Sequence, residues 1–296
     1  MKAFAALIHR EFIEHKGAFF FGPLILVALM LGATVLAFTV GRVDARFSGQ
    51  MFTVAPLRIF EMAFMAFSLA WLLYLIATLF FYCADGFAAD KRNNSMLFWK
   101  SMPVSDLRML WAKLTAAITI LPGSIFGITM LSGLLLFAII FVTTIINGTG
   151  SLDLFGSVAG IYVNVALAFI VTLVCGLLWY LPYMALVGAL ATAIGRWAIP
   201  LAVLLPAIIS TLEWVTLGGF HPLATVTSAY LEYRSDFPLM EGYIDDWLVA
   251  TVPFDGVAYS LALIGRLDWN QVLIGIAFAA LAIYLASEYR RRVNDN

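Results

Sequence analysis

The chain has 296 residues, of which 63% are hydrophobic and only 12% charged, with a net charge of -1 and a mean hydropathy of +0.96. A water-soluble domain carries about 25% charged residues, so an ordinary globular enzyme is excluded, and the balanced charge argues against a nucleic-acid surface. The composition predicts an all-α, polytopic membrane protein.

Residues 2–16 place Phe4, Leu7, Ile8 and Phe12 at helical spacing on one face, with Arg10, Glu14 and Lys16 mainly elsewhere. This pattern predicts an amphipathic elbow helix lying against the lipid bilayer, the plainer alternative being an extension of the first span. The apolar run that follows is too long for a signal-peptide core, and nothing reads as cleaved.

Unpaired backbone groups cost several kcal/mol in hydrocarbon, so a bilayer core of about 30 Å is crossed by helices of about 20 apolar residues. Runs that meet this occur at 17–40, 62–84, 114–146, 154–195, 197–217 and 270–289, giving six transmembrane helices in one domain spanning 1–296. The fourth run could be one long helix or a tight hairpin broken at Pro182. Charge decides between them. Six spans with a cytoplasmic N-terminus put twelve Lys and Arg inside, against Arg42, Arg46, Arg58, Arg234 and Arg266 outside, which obeys the positive-inside rule. A seventh span would expel Arg290, Arg291 and Arg292. The reading is therefore one long fourth helix, partly broken at Pro182, with both chain ends cytoplasmic.

The cytoplasmic loop 85–113 mixes charge with bulky apolar side chains. Residues 90–101 can form a short helix that Pro103 stops, and Ser105 with Asp106 suits the start of the next one. Phe98 and Trp99 stand between charged clusters, so they lie either in the membrane interface or in a pocket on a partner. The outer segment 218–269 combines acidic residues with many Tyr, Trp and Phe. It reads as an external cap of short interfacial helices, or alternatively as a vestibule for a cationic or amphiphilic molecule. Within the fifth span, Pro200 and Pro206 leave a re-entrant course open.

Catalytic and metal-binding patterns are missing. The histidines are His9, His15 and His221, with no HExxH pair and none inside a span, so neither a metalloprotease nor a histidine-activated nucleophile is supported. There is no GxxxxGK[ST] phosphate loop and no TVGYG filter. Cys83 and Cys175 sit in apolar runs and read as buried packing residues. Gly123 with Gly127 and Gly156 with Gly160 read as packing pairs. The spans are almost free of ionisable groups, with Glu61, Asp85 and Glu213 near their ends, which disfavours a proton-driven cycle. No catalytic, cofactor or metal residue is assigned, and energy should arrive from outside the spans.

At DKRNNSMLFWKSMPVSD, residues 90–106, the chain resembles the cytoplasmic loop of bacterial ABC type-2 export permeases. The specific match covers about 17 residues; the elbow, six spans and long final linker fit more loosely. The resemblance implies a coupling helix in which Asp90, Lys91, Arg92, Phe98, Trp99, Lys100 and Pro103 dock on an ABC nucleotide-binding ATPase subunit. It further implies two permease chains, a homodimer being the simplest case, with ATP and Mg held by the ATPase and both assembled at the bacterial inner membrane. The substrate class it suggests is lipid-like, peptide or amphiphilic. The segment between the fifth and sixth spans is longer than in many family members. The rival readings are an ion-coupled secondary transporter and a non-transporting membrane scaffold or sensor.

Overall fold

The computed structural model describes residues 2–39, 56–92, 104–146, 152–217, 225–237, 247 and 254–295, all helix or short connection. Among the described residues, six helices are long and apolar enough to cross a membrane. The protein is an all-α polytopic membrane protein.

The first two helices, α1 (Lys2–Lys16) and α2 (Gly22–Thr39), are joined by one π-helical turn, Gly17–Phe21. The sequence dictates this turn at Pro23. Proline has no N–H to give the carbonyl of Phe19, and its ring crowds the preceding turn. The backbone responds by widening: Gly22 N donates to Gly17 O, five residues back, which strands the Ala18 carbonyl as well. Two later helices supply the missing donors. The Tyr74 hydroxyl donates to Ala18 O at 2.7 Å, and Ser124 shares its hydrogen between Phe19 O at 2.9 Å and Leu121 O at 2.7 Å. The elbow is thus a register shift in a continuous helical path, pinned to the bundle.

Next come α3 (Pro56–Arg92), α4 (Asp106–Ile118) and α5 (Ile120–Ile146). Helix α4 begins inside the stretch read as loop, at the Ser105 and Asp106 start. The Ser105 side chain accepts from Arg108 N, satisfying one of the orphan donors of the first turn. Pro122 explains why α4 and α5 are separate, because it cannot donate to Ile118 and the chain breaks at Thr119 just before it.

The central helix, α6 (Leu152–Ile194), runs unbroken through Pro182 for 43 residues. At 1.5 Å per residue it is about 64 Å long, roughly twice a hydrocarbon core. It ends at Gly195, whose φ of +67° is the left-handed conformation that closes helices and that glycine adopts without strain. Helix α7 (Ala198–Leu217) is likewise continuous through Pro206 and long enough to cross.

The remaining helices among the described residues are α8 (Val226–Ser235), α9 (Gly256–Arg266) and α10 (Trp269–Asp295). Helices α8 and α9 are built into the bundle and do not merely lie across its end. Thr227 donates through its hydroxyl and its N–H to Glu213 of α7, at 2.6 and 3.0 Å, folding α8 back on α7. Gly256 abuts the Asn164 carbonyl so closely that a Cβ there would collide with it, and Tyr259 and Leu263 are buried against α6.

One apolar core fills the space among α3, α4, α5, α6 and α10 near the chain ends, including Leu75, Leu79, Leu110, Leu121, Ala185 and Ile283. A second lies toward the other end, around Phe60, Phe64, Trp179, Tyr259 and Leu263. Cys83 and Cys175 are free and buried. The glycine pairs read as packing positions are not used so within this chain: a Cβ on Gly123, Gly127, Gly156 or Gly160 would meet nothing within 4 Å. Close approaches occur instead at Gly133 against Phe64 and at Gly188 against Phe87.

Replacing Tyr74 with Phe should destabilise the protein by about 1–2 kcal/mol, the cost of orphaning a carbonyl. The loss should be smaller in a Pro23→Ala background, where an ordinary helical bond can reform. Unfolding of bicelle-reconstituted protein by titrated SDS measures both.

Candidate functional site

Both ends of the chain meet at one face of the bundle, where an ion cluster is buried. Lys113 of α4, 3% exposed, donates through Nζ to Glu11 Oε1 of α1 at 3.0 Å and to Gly86 O at 2.9 Å. Asp90 Oδ2 of α3 lies 3.7 Å from the same ammonium. Arg290 of α10 reaches Asp90 Oδ2 at 3.3 Å and Asp106 Oδ1 at 3.1 Å. The Tyr82 hydroxyl gives its hydrogen to Glu11 Oε2 at 3.0 Å, and the His15 ring stands edge-on to Tyr82 with centroids 4.7 Å apart.

The cluster answers a physical demand. A charge removed from water costs several kcal/mol unless it is paired and its remaining donors and acceptors are used. Here every member has a partner on another helix, so α1, α3, α4 and α10 are tied together by charges that none of them could bury alone. Glu11, Glu14 and His15 bring three possible metal-ligand atoms within 4.8 Å of one another. Two of those groups are already committed, Glu11 to Lys113 and Tyr82, and Glu14 to Arg10 at 2.6 Å. No metal role is assigned to them.

Of the residues expected to dock a partner, Asp90 is turned inward, 4% exposed, and spends its carboxylate within the chain. Lys91 and Arg92 form the last two positions of α3. Phe98, Trp99, Lys100 and Pro103 lie outside the described residues. The elbow residues Phe4, Leu7, Ile8 and Phe12 are each partly buried, with Phe12 packed on the core and α1 resting along α4.

Sequence reasoning missed the cluster, though one signal was present. Glu11 follows Leu7 by four residues and Ile8 by three, so it sits inside the apolar stripe of α1. A carboxylate on the face bound for burial calls for a buried cation. Nothing in the local pattern says that the cation is Lys113.

The opposite end has its own tie. Glu61 of α3, 2% exposed, accepts from Arg58 Nη1 at 2.7 Å, Trp247 Nε1 at 3.1 Å and Phe254 N at 2.6 Å. Arg58 also lies over the Trp247 ring, 4.3 Å from its centroid, and donates to the Trp247 carbonyl. Arg234 is 1% exposed and stacks on Trp179 at 4.2 Å, while Trp179 Nε1 donates to its carbonyl at 2.9 Å. Its guanidinium crosses to α10 where Gly275 leaves room. Asp268 caps α10 by accepting from Gln271 N at 3.2 Å and from the Tyr233 hydroxyl at 3.0 Å; these bonds hold its carboxyl below the usual aspartate range.

No family model, no curated protein and no solved structure matches the chain.

Truncating Lys113 to Met should cost about 3–5 kcal/mol, because it leaves Glu11 and Asp90 buried without that cation. Adding Glu11→Gln should cost less than the sum of the two single changes, a coupling that a double-mutant cycle reads directly. Asp268 predicts a pH effect. Its folded-state carboxyl titrates lower than in the unfolded chain, so its stabilisation is full above the ordinary aspartate range and fades as pH falls through the lowered value. The melting difference between the wild-type chain and Asp268→Ala should therefore narrow from neutral pH toward about pH 3, below the ordinary aspartate value of ~3.9.

Proposed function

We propose that the chain is the transmembrane permease subunit of an ATP-driven exporter in a bacterial inner membrane. A second copy completes the membrane part, and two ABC nucleotide-binding subunits hold ATP and Mg and perform the hydrolysis. The face bearing both termini is cytoplasmic in this reading, and the chain itself is no enzyme. The exported class is lipid-like, peptide or amphiphilic.

One observation carries the reading. The aromatic-basic run SMLFWKSMP stands in the sequence between the end of α3 and the start of α4, and these two helices are the ones that the buried cluster joins to each other and to both chain ends. A force applied to that loop reaches α3 and α4 at once, and through Glu11 and Arg290 it reaches α1 and α10. A transporter with its ATPase on a separate chain requires such a lever, because the energy enters at one face and the path runs through the helices. A loop that served only to connect α3 with α4 would not need Phe98 and Trp99.

Replacing Phe98 and Trp99 together with Ala should abolish copurification with the ABC nucleotide-binding subunit, or uncouple its ATP hydrolysis from transport in proteoliposomes. Full assembly and full transport by that variant would sink the proposal. Activity that persists without any ATPase and collapses with a protonophore would favour an ion-coupled carrier instead.

A further inference from the structure

Between α3, α6 and α9, toward the end bearing Glu61, lies a cavity of about 380 Å³. Its walls include Met65, Ala66, Leu72, Ala168, Phe169 and Phe254. It opens sideways past Met62 and Leu69, which are 44% and 51% exposed, onto a helix face that is apolar in both directions. Small-molecule pockets run from roughly 300 to 1,000 Å³, so the space has ligand size.

Water is a poor occupant. A buried water needs two to four polar partners, and the hydroxyl hydrogens in this wall are already spent: Ser68 donates to Phe64 O at 2.8 Å and Thr172 to Ala168 O at 2.8 Å. The Tyr259 hydroxyl stands 3.4 Å from Thr172 Oγ1, as one polar point in an otherwise apolar wall. A void fares no better, since its lining would forfeit dispersion contacts on one side. Hydrocarbon satisfies both conditions.

The polarity of the site is graded. Its inner end is apolar, while Trp247 at the other end carries Arg58 on its ring and joins it to Glu61. Aromatic and basic groups of this kind belong at headgroup level. The Arg58 and Glu61 charges cancel at 2.7 Å, so the end offers polarity without net charge.

We infer that this cavity is a lateral binding site for one hydrocarbon chain of a neutral or zwitterionic membrane amphiphile, with the polar head at the Arg58–Trp247 end. Binding by the chain alone is the claim, so its fate is separate from that of the transport reading.

The test uses the full chain in phosphatidylcholine nanodiscs, without ATP or any other protein, doped with a phosphatidylcholine bearing a diazirine in one acyl chain. After irradiation, peptide mapping should place the label mainly on residues 62–72 and 165–172, above the exposed face of α10 at Leu273, Leu281 and Leu285. Ala168→Phe, which fills the cavity, should cut labelling of those two segments about tenfold and leave α10 unchanged. Ala66→Phe, at the exposed rim where the core does not depend on it, should do the same should the first variant fail to fold. Labelling equal to that of α10, or unmoved by either variant, overturns the site. Disulfide formation between two copies that each carry Leu69→Cys overturns it too, by making the face a seam between protomers. A phosphatidylglycerol probe that labels about tenfold better than phosphatidylcholine overturns the neutral class.

Discussion

The ammonium of Lys113 lies buried between the carboxylates of Glu11 and Asp90, at a place where the first and last helices both meet the middle of the chain. A lone charge there would cost several kcal/mol, so each charged member of the cluster requires the others, and the four helices that carry them have little freedom to move separately. The position of α1 follows. Its apolar stripe is interrupted by Glu11, so the helix cannot simply float in the membrane interface; it is drawn onto α4, where Lys113 waits. The π turn below it then sets the angle at which α2 departs, and Tyr74 and Ser124 hold that angle by satisfying the carbonyls that Pro23 frees.

The bundle is organised around α6, whose length exceeds the hydrocarbon thickness about twofold. That excess gives α3 and α9 a surface to pack on beyond the span itself, and it produces the second apolar core around Phe60, Trp179 and Tyr259. Close helix approach is achieved by glycines facing rings or carbonyls, as at Gly133, Gly188 and Gly256. The spaced glycine pairs that the sequence advertises face open space. Helices α2 and α7 bury little: Val27 of α2 and Ala198 and Ser210 of α7 are among their few buried residues, while Leu29, Leu36, Val203 and Val215 are more than half exposed. In a membrane such faces meet lipid or another protomer.

Much of the functional reading hangs on residues whose local chemistry is plain in the sequence, namely the aromatic pair Phe98 and Trp99 between charged neighbours. Asp90 shows the limit of that approach. Read along the chain it belongs with Lys91 and Arg92 as one charged group, yet in the fold its carboxylate turns inward to Arg290, two hundred residues away. Adjacency in sequence does not reveal on which side of a helix a charge finds its partner. The same holds for Glu61, which reads as a headgroup-level acid but accepts three hydrogen bonds from residues of α3 and of the segment before α9.

The sequence by itself determined the membrane class, the six apolar helices, the Ser105 start of α4 and the burial of both cysteines, because each follows from local composition, length or capping chemistry. The choice of one fourth helix came from counting charges across the whole chain. Only the tertiary structure decided that α6 stays one continuous helix through Pro182, that α8 and α9 fold into the bundle, and that the buried charges pair as they do. The reason is physical. Periodicity and length act within a helix, whereas the pairing of Glu11 with Lys113 or of Glu61 with Trp247 is set by which helices pack side by side, and packing is a property of the assembled bundle.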